Sequence, residues 1–454
     1  MLFRRTIAGA IFTVFVLQTP PVAAAPVPFP DMGRTWYRYR EAAQYLKDKD
    51  VLGGYPDGNF KPLETINRAE LLKIVFKGRS DVVPVSRRCF SDVNPNEWFA
   101  PYVCAAKNRG IVDGYRNGTF QPAEAVNFAE AVKIVLNAYG HEVTPSAGED
   151  WYKPYAAELE RLEIMPQHSY VPWAPLTRER AADLLWRVLR YEDDRIISRL
   201  SPGCNKSPPV MSPGSVEVNG IRRDFLVTVP ARYVSHDPVP LLIAFHGRTN
   251  SNEQVRSYMR LDRNATDSLI VYPAAIKNDN GTYSWADPGN KAYEIRDIAF
   301  FDAIVEKLAS EYCIDMDRIS VVGHSLGAWI ANSIACVRGG AVMASATIGG
   351  DSVKTTCAGP AAAMIIHNPK DNLAPFSGAE MVRKLRTETN FCGWETEDTG
   401  PTELKCVTHK GCASGNDVVF CPHTIDTDER GKFYPHTWPR SAGEIIAEWL
   451  RGIE

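Results

Sequence analysis

The twelve residues Arg318 to Trp329, RISVVGHSLGAW, constrain this chain more than any other stretch. Ile319 to Val322 is a short β-branched run of the kind that forms a buried strand, and Ala328 to Val337 reads as a helix. Only Gly323-His324-Ser325-Leu326-Gly327, a G-x-S-x-G pattern, lies between them. A turn this tight leaves no room for side chains on either side of the serine, and glycine removes them. Ser325 Oγ should then stand exposed at the carboxyl end of a sheet. The Leu326 N–H, at a helix start, should point at an oxyanion developing on a bound carbonyl.

Apolar β runs around this turn alternate with helix patterns. Val227–Val229, Leu241–Phe245, Leu269–Tyr272 and Ala363–Ile366 read as further strands. Ile298–Leu308, Gly378–Arg386 and Ala442–Leu450 read as further helices. Such alternation predicts a mostly parallel sheet with helices on both faces, and with the serine turn it resembles the α/β-hydrolases. In that fold the loop after the His246-Gly247 strand end supplies a second oxyanion N–H, here that of Arg248, while His246 itself is a structural strand-end residue. Chain order places an acid and then a histidine after the serine. Asp371, in a loop after the strand at 363–366, is the expected acid. A loop acid closing a local Asx turn is the plainer alternative. Of the later histidines His409, His423 and His436, the last lies just before the final helix, where the base belongs. Trp285 and Trp438 are candidate substrate-lining residues.

The N-terminal half repeats itself. Gly54-Tyr55-Pro56-Asp57-Gly58-Asn59-Phe60-Lys61-Pro62 recurs as Gly114-Tyr115-Arg116-Asn117-Gly118-Thr119-Phe120-Gln121-Pro122. A helix start with capping-box spacing follows each, Asn67 with Glu70 and Asn127 with Glu130. Each copy opens on an aromatic-Asp entry, at Phe29-Pro30-Asp31 and Phe90-Ser91-Asp92. A worn third copy keeps Trp151-Tyr152-Lys153-Pro154-Tyr155 and Leu176-Thr177-Arg178-Glu179 but lacks the glycine loop. Three short helical hairpins that cannot bury their faces alone should pack as one all-α unit. The repeats, at 29–79, 89–140 and 149–194, resemble S-layer homology domains, which occur as three tandem copies. The resemblance implies docking on cell-wall polysaccharide or a peptidoglycan-linked polymer, with Arg68, Arg178 and Asp57 at the contact. The second copy carries Phe128 at the arginine position. The plainer alternative is that Arg68 and Asp57 only hold loop and helix together.

Residues 1–25 read as an export signal, with Arg4 and Arg5 ahead of an apolar core and Val22-Ala23-Ala24-Ala25 at its end. No later segment reads as membrane-spanning, so an extracellular, wall-associated protein is expected. Ten cysteines fit that compartment: Cys89 and Cys104 in the first half, then Cys204, Cys313, Cys336, Cys357, Cys392, Cys406, Cys412 and Cys421. Both groups are even, and no paired C-x-x-C with helical histidines suggests zinc, so disulfides of unspecified pairing are expected. A net charge of −3 with no basic patterning argues against nucleic acid. The Ser-Pro-rich stretch 195–212 reads as a linker before a hydrolase domain over 213–454.

In that domain Cys313-Ile314-Asp315, the elbow, Ala335-Cys336-Val337-Arg338-Gly339 and the run Cys406 to Cys421 resemble secreted feruloyl esterases and polyhydroxybutyrate depolymerases. The resemblance implies an exported serine esterase that needs no cofactor, with Ser325, His436 and Asp371 as its triad. Two departures are Pro435 beside His436, where the family often has glycine, and the polar stretch Asp426–Lys432. The competing readings are a wall-anchored adhesion protein with a silent hydrolase domain, and a peptidase on the same fold.

Overall fold

The structure is a computed structural model that describes residues 27–453 except 34, 80–87, 142, 144–147, 149, 163, 167–170, 195–199, 210–213, 279–280, 287–289, 353–356, 401–402, 414 and 429. The expected export signal and both ends of the expected linker lie outside the described residues.

Each repeat supplies two helices: α1 (Tyr37–Asp48) and α2 (Arg68–Gly78), α3 (Ala100–Asn108) and α4 (Phe128–Ala138), α5 (Lys153–Arg161) and α6 (Arg178–Asp194). Their packing runs between copies rather than within the expected hairpins: α3 packs on α2, α5 on α4, and α1 closes the ring on α6. Capping boxes start α2 and α4, where Asn67 Oδ1 accepts the Glu70 N–H at 2.8 Å and Asn127 Oδ1 accepts the Glu130 N–H at 2.9 Å. The entry aspartates explain the aromatic-Asp motif. Asp31 accepts the N–H groups of Phe60 (2.8 Å) and Lys61 (2.6 Å), and Asp92 does the same for Phe120 (2.8 Å) and Gln121 (2.7 Å). Each entry thereby ties down its own glycine loop. At the centre the three second-helix leads close a ring. Ile66 N–H donates to Leu176 O (2.9 Å), Leu176 N–H to Val126 O (2.9 Å), and Val126 N–H to Ile66 O (3.1 Å). The sequence repeat has become a pseudo-three-fold unit around one shared core.

The C-terminal domain begins with β1 (Gly214–Val218), β2 (Ile221–Thr228) and β3 (Val239–Phe245), then α7 (Asn252–Met259) and α8 (Leu261–Asn264). β4 (Leu269–Pro273), a small β5–β6 hairpin (Ile276–Lys277, Tyr283–Ser284), α9 (Lys291–Glu311), β7 (Ile314–His324) and α10 (Leu326–Val337) follow. The rest is β8 (Ala344–Ile348), β9 (Ala362–Ile366), α11 (Phe376–Thr389), β10 (Thr396–Asp398), β11 (Val407–His409), β12 (Val418–Cys421) and α12 (Ala442–Arg451). The sheet order is β1-β2-β4-β3-β7-β8-β9-β12-β11-β10. Its six central strands, β4 to β12, are parallel, and antiparallel pairs close both edges. Strand periodicity sorts the core. Leu241, Ile243 and Phe245 face the α9–α10 side, while Leu242 and Ala244 face α7, α8 and α12. All ten cysteines pair, as 89–104, 204–313, 336–357, 392–412 and 406–421. No described helix is long and apolar enough to cross a membrane.

The stretch read as a linker is stapled down where it is described. Ser201 N–H donates to Ile314 O, Gly203 N–H to Ala309 O, and Cys204 bonds Cys313. A side chain at Gly203 would lie 2.3 Å from the Tyr312 carbonyl oxygen, so only glycine fits there. The repeats themselves dock on the hydrolase. Trp36 stacks on Phe301 at 5.7 Å, inside the hydrolase core. Asp317 is held by Arg38 (3.3 Å) and Arg187 (3.0 Å), and Arg40 meets Glu306 at 3.2 Å. The worn third repeat supplies the last clamp. Arg180 stands where the other copies place Glu70 and Glu130, and its guanidinium donates to Gly339 O (2.8 Å) and Ala358 O (2.9 Å). The departure from the repeat pattern is therefore a contact with the next domain.

Candidate active site

β7 runs through the sheet centre and ends at His324, so the next residue emerges at the carboxyl edge. Ser325 has φ 56° and ψ −125°, the strained geometry an elbow imposes. Both flanking glycines are sterically required. A Cβ at Gly323 would lie 2.2 Å from Gly327 O, and one at Gly327 would lie 2.2 Å from Phe245 O. Leu326 is the first residue of α10, so its N–H has no intrahelical acceptor. The loop after β3 crosses the serine, with a Cβ at Gly247 only 3.3 Å from Ser325 Cβ. Arg248 sits next in that loop, ahead of Thr249, whose N–H donates to Tyr283 O at 2.9 Å.

His246 is fully buried. Its Nε2 accepts the Ala275 N–H at 3.0 Å, and desolvation pushes its pKa down to about 4. It holds the loop, as expected of a strand-end residue. Trp285 requires a correction. It is 2% exposed, packs on Phe245 and His246, and donates its Nε1–H to His246 O at 2.8 Å. It braces the loop after β3 from inside the core and lines no exposed surface. Trp438 is also buried, with its ring 6.0 Å from both His324 and Tyr258, and it backs the histidine loop.

Asp371 and His436, 65 residues apart, meet at 2.5 Å between Oδ2 and Nδ1. The other carboxylate oxygen, Oδ1, accepts the N–H groups of Leu373 (2.9 Å) and Ala374 (3.0 Å). Asp371 therefore closes an Asx turn and orients a histidine at once; the two readings were not exclusive. Burial raises its pKa, but the His436 hydrogen bond and these N–H groups outweigh that and hold the carboxyl below its ordinary range. Of the downstream histidines, only His436 hydrogen-bonds this acid. His409 turns its Nδ1 to Gly393 O at 3.1 Å, and His423 is buried with its pKa pushed down to about 4 by desolvation. His436 lies against the elbow, its ring 5.3 Å from that of His324. Three side chains not singled out from sequence are exposed near these residues in the chain: Leu373, two positions after Asp371, and Phe433 and Tyr434, just before His436, with the Tyr434 and His436 ring centroids 6.1 Å apart. The polar stretch Asp426–Lys432 lies just ahead of two of them, Phe433 and Tyr434. It folds as a loop pinned by Asp428, which accepts the Arg430 and Lys432 N–H groups at 2.9 Å.

In the repeats, Arg68 and Arg178 are buried clamps. Arg68 Nε donates to Phe120 O (3.0 Å) and its guanidinium lies over the Tyr115 and Phe120 rings. Arg178 Nε donates to Phe60 O (2.7 Å) and lies over Tyr55 and Phe60. Each arginine reaches the glycine loop of another repeat, which joins repeats rather than holding its own loop to its own helix. Asp57 is exposed and accepts the Asn59 N–H at 2.9 Å.

The S-layer homology domain family model matches residues 28–72 and 90–132. Feruloyl esterase D of Neurospora crassa is 26% identical over 237 residues, spanning 50% of this chain and 81% of that protein. The surface-layer 125 kDa protein of Lysinibacillus sphaericus is 29% identical over 202 residues, spanning 41% of this chain but only 17% of that protein. The solved structure of a carboxylesterase from Mesorhizobium loti aligns with a TM-score of 0.37 at 14% identity, covering 52% of this chain and 99% of that one.

Proposed function

We propose that this chain, a fusion of S-layer homology repeats with a feruloyl-esterase-like carboxylic ester hydrolase, is a wall-displayed serine esterase acting on phenolic or acetyl esters of polysaccharide, or on a polyester. The observation that carries the reading is the Asp371–His436 pair at 2.5 Å, its imidazole 5.3 Å from the His324 ring of the elbow that holds a strained Ser325. His436 takes the Ser325 proton as Oγ attacks the ester carbonyl, while Asp371 fixes the tautomer that leaves Nε2 free to accept it. The N–H groups of Leu326 and Arg248 receive the oxyanion, and losing one such donor raises the barrier by about 3–4 kcal/mol. His436 then protonates the leaving alcohol, and water repeats the sequence on the acyl-enzyme. The repeats hold the enzyme to a cell-wall polymer. Asp57 and the exposed edges of the glycine loops are its contact surface, with Arg68 and Arg178 shaping those loops from behind.

The test is labelling by a fluorophosphonate probe together with hydrolysis of p-nitrophenyl acetate and methyl ferulate. Wild type should label and turn over, and Ser325→Ala should do neither. An oxidised, folded wild type that neither labels nor hydrolyses would sink the esterase reading and leave a wall-docked binding protein.

A further inference from the structure

Two side chains outside the expected triad, buried His324 and half-buried Tyr258, join the three pieces of the site. Tyr258, on α7, places its hydroxyl 3.2 Å from His324 Nδ1, and the Gly247 backbone hydrogen-bonds the same hydroxyl. His324, the residue before the nucleophile, places its Nε2 3.1 Å from the carbonyl oxygen of His436. The chain of contacts therefore runs from the loop expected to bind the oxyanion, through Tyr258 and the elbow, to the backbone of the expected base.

Only one arrangement of protons satisfies it. A carbonyl oxygen can only accept, so His324 must carry its proton on Nε2. Neutral imidazole then offers Nδ1 as an acceptor, and the Tyr258 hydroxyl donates to it. That hydroxyl keeps its lone pairs for the Gly247 N–H. Desolvation, then the neighbouring His436, pushes the His324 pKa down to about 3, and desolvation moves the Tyr258 hydroxyl well above its ordinary range. Neither group changes charge near neutrality, so the relay does not itself shuttle protons. Packing reinforces the geometry. The His324 ring lies 5.3 Å from that of His436 at an interplanar angle of 30°, and Trp438 sits 6.0 Å from both relay rings.

We propose that Tyr258 and His324 are positioning residues that set the His436 backbone and the Gly247 loop at a fixed separation across Ser325. The inference deepens the esterase reading and rests on it. A tie of this kind matters because rate falls steeply when a base or an oxyanion donor is displaced, while substrate affinity does not.

The test uses the full chain. Tyr258→Phe keeps the ring packing and removes the hydroxyl. His324→Phe removes both hydrogen bonds, and His324→Gln restores a donor towards His436 O. Tyr258→Phe should lower kcat about tenfold and His324→Phe about a hundredfold, with KM within about twofold, as a misplaced but intact site requires. His324→Gln should recover most of the rate lost in His324→Phe. Nitrogen-15 spectra of the histidines give a readout independent of activity. They should show His324 neutral and protonated on Nε2 from pH 5 to 8 in wild type, with tautomer exchange appearing in Tyr258→Phe. Folded Tyr258→Phe and His324→Phe proteins with wild-type kcat, or an Nδ1-protonated His324, would overturn the proposal. A wild type that fails to label Ser325 would instead overturn the esterase reading, and the spectra would still decide whether the relay exists.

Discussion

Asp371 shows how much one side chain can be asked to do. One oxygen fixes its own loop and the other fixes His436, so removing its charge disturbs chemistry before it disturbs shape. Asp371→Asn keeps the Asx turn but presents an amide to Nδ1, which favours the wrong imidazole tautomer. Its kcat should fall by about 10³–10⁴-fold with the melting temperature little changed, read by steady-state kinetics beside calorimetry. Gly349 sits behind the same pair at φ 61°, and a Cβ there would lie 3.0 Å from His436 Cε1 and 3.4 Å from Asp371 Oδ2. Gly349→Ala should therefore cost activity out of proportion to stability, because the added methyl pushes the imidazole off line. A variant with wild-type kcat would show that the ring has room to give.

Among elements, the segment before β1 is anchored by the longest-range covalent tie in the molecule. Cys204–Cys313 closes 109 residues of chain, whereas the other four bridges close 15 to 21. On the chain-entropy account it restricts the unfolded ensemble by about 4.7 kcal/mol, against about 3 kcal/mol for a short loop. Replacing both cysteines with serine should lower the melting temperature more than removing any other pair. It should also expose residues 200–209 to protease. Equal effects for all five pairs would locate the stabilisation in local packing instead.

On the scale of the whole molecule, the junction between repeats and hydrolase holds a carboxyl group that titrates near neutrality. Glu179 is buried beside a cavity of about 700 Å³ bounded by Trp36, Ile298 and Arg338. Desolvation raises its pKa from 4.5 to about 7, against the opposing pull of Arg180 and Arg338 and with a small push from Asp183. Folded protein thus holds a proton that unfolded chain releases between those values. The contribution is fully present below pH 4.5 and is lost as pH rises towards about 7, at a slope of about 1.4 kcal/mol per pH unit. Glu179→Gln should flatten that slope. Urea midpoints for both proteins at pH 5 and pH 7 measure it, and parallel shifts would mean that Glu179 is solvated in solution.

What the sequence determined about this protein is what short segments fix by themselves. Turn sterics at Gly323 and Gly327 dictate the elbow, continuous apolar runs dictate β3 and β7, and Asn-x-x-Glu dictates the starts of α2 and α4. Each of these acts within about ten residues, so the pattern and its physical cause lie in the same stretch. That Asp371 and His436 would meet was legible because the topology of the parallel sheet leaves few places for an acid and a histidine after the elbow. β8 was not legible, since Ala-Ser-Ala-Thr-Ile has little strand preference and is buried only by its neighbours. Tertiary structure alone decided everything that joins distant segments. It buried Trp285 beneath His246, sent Trp36 into the hydrolase core, and gave Arg180 to Gly339 and Ala358 across more than 150 positions. An arginine or tryptophan reads the same in sequence whether it will meet solvent, ligand or another domain, because its environment is set by packing that no local pattern records.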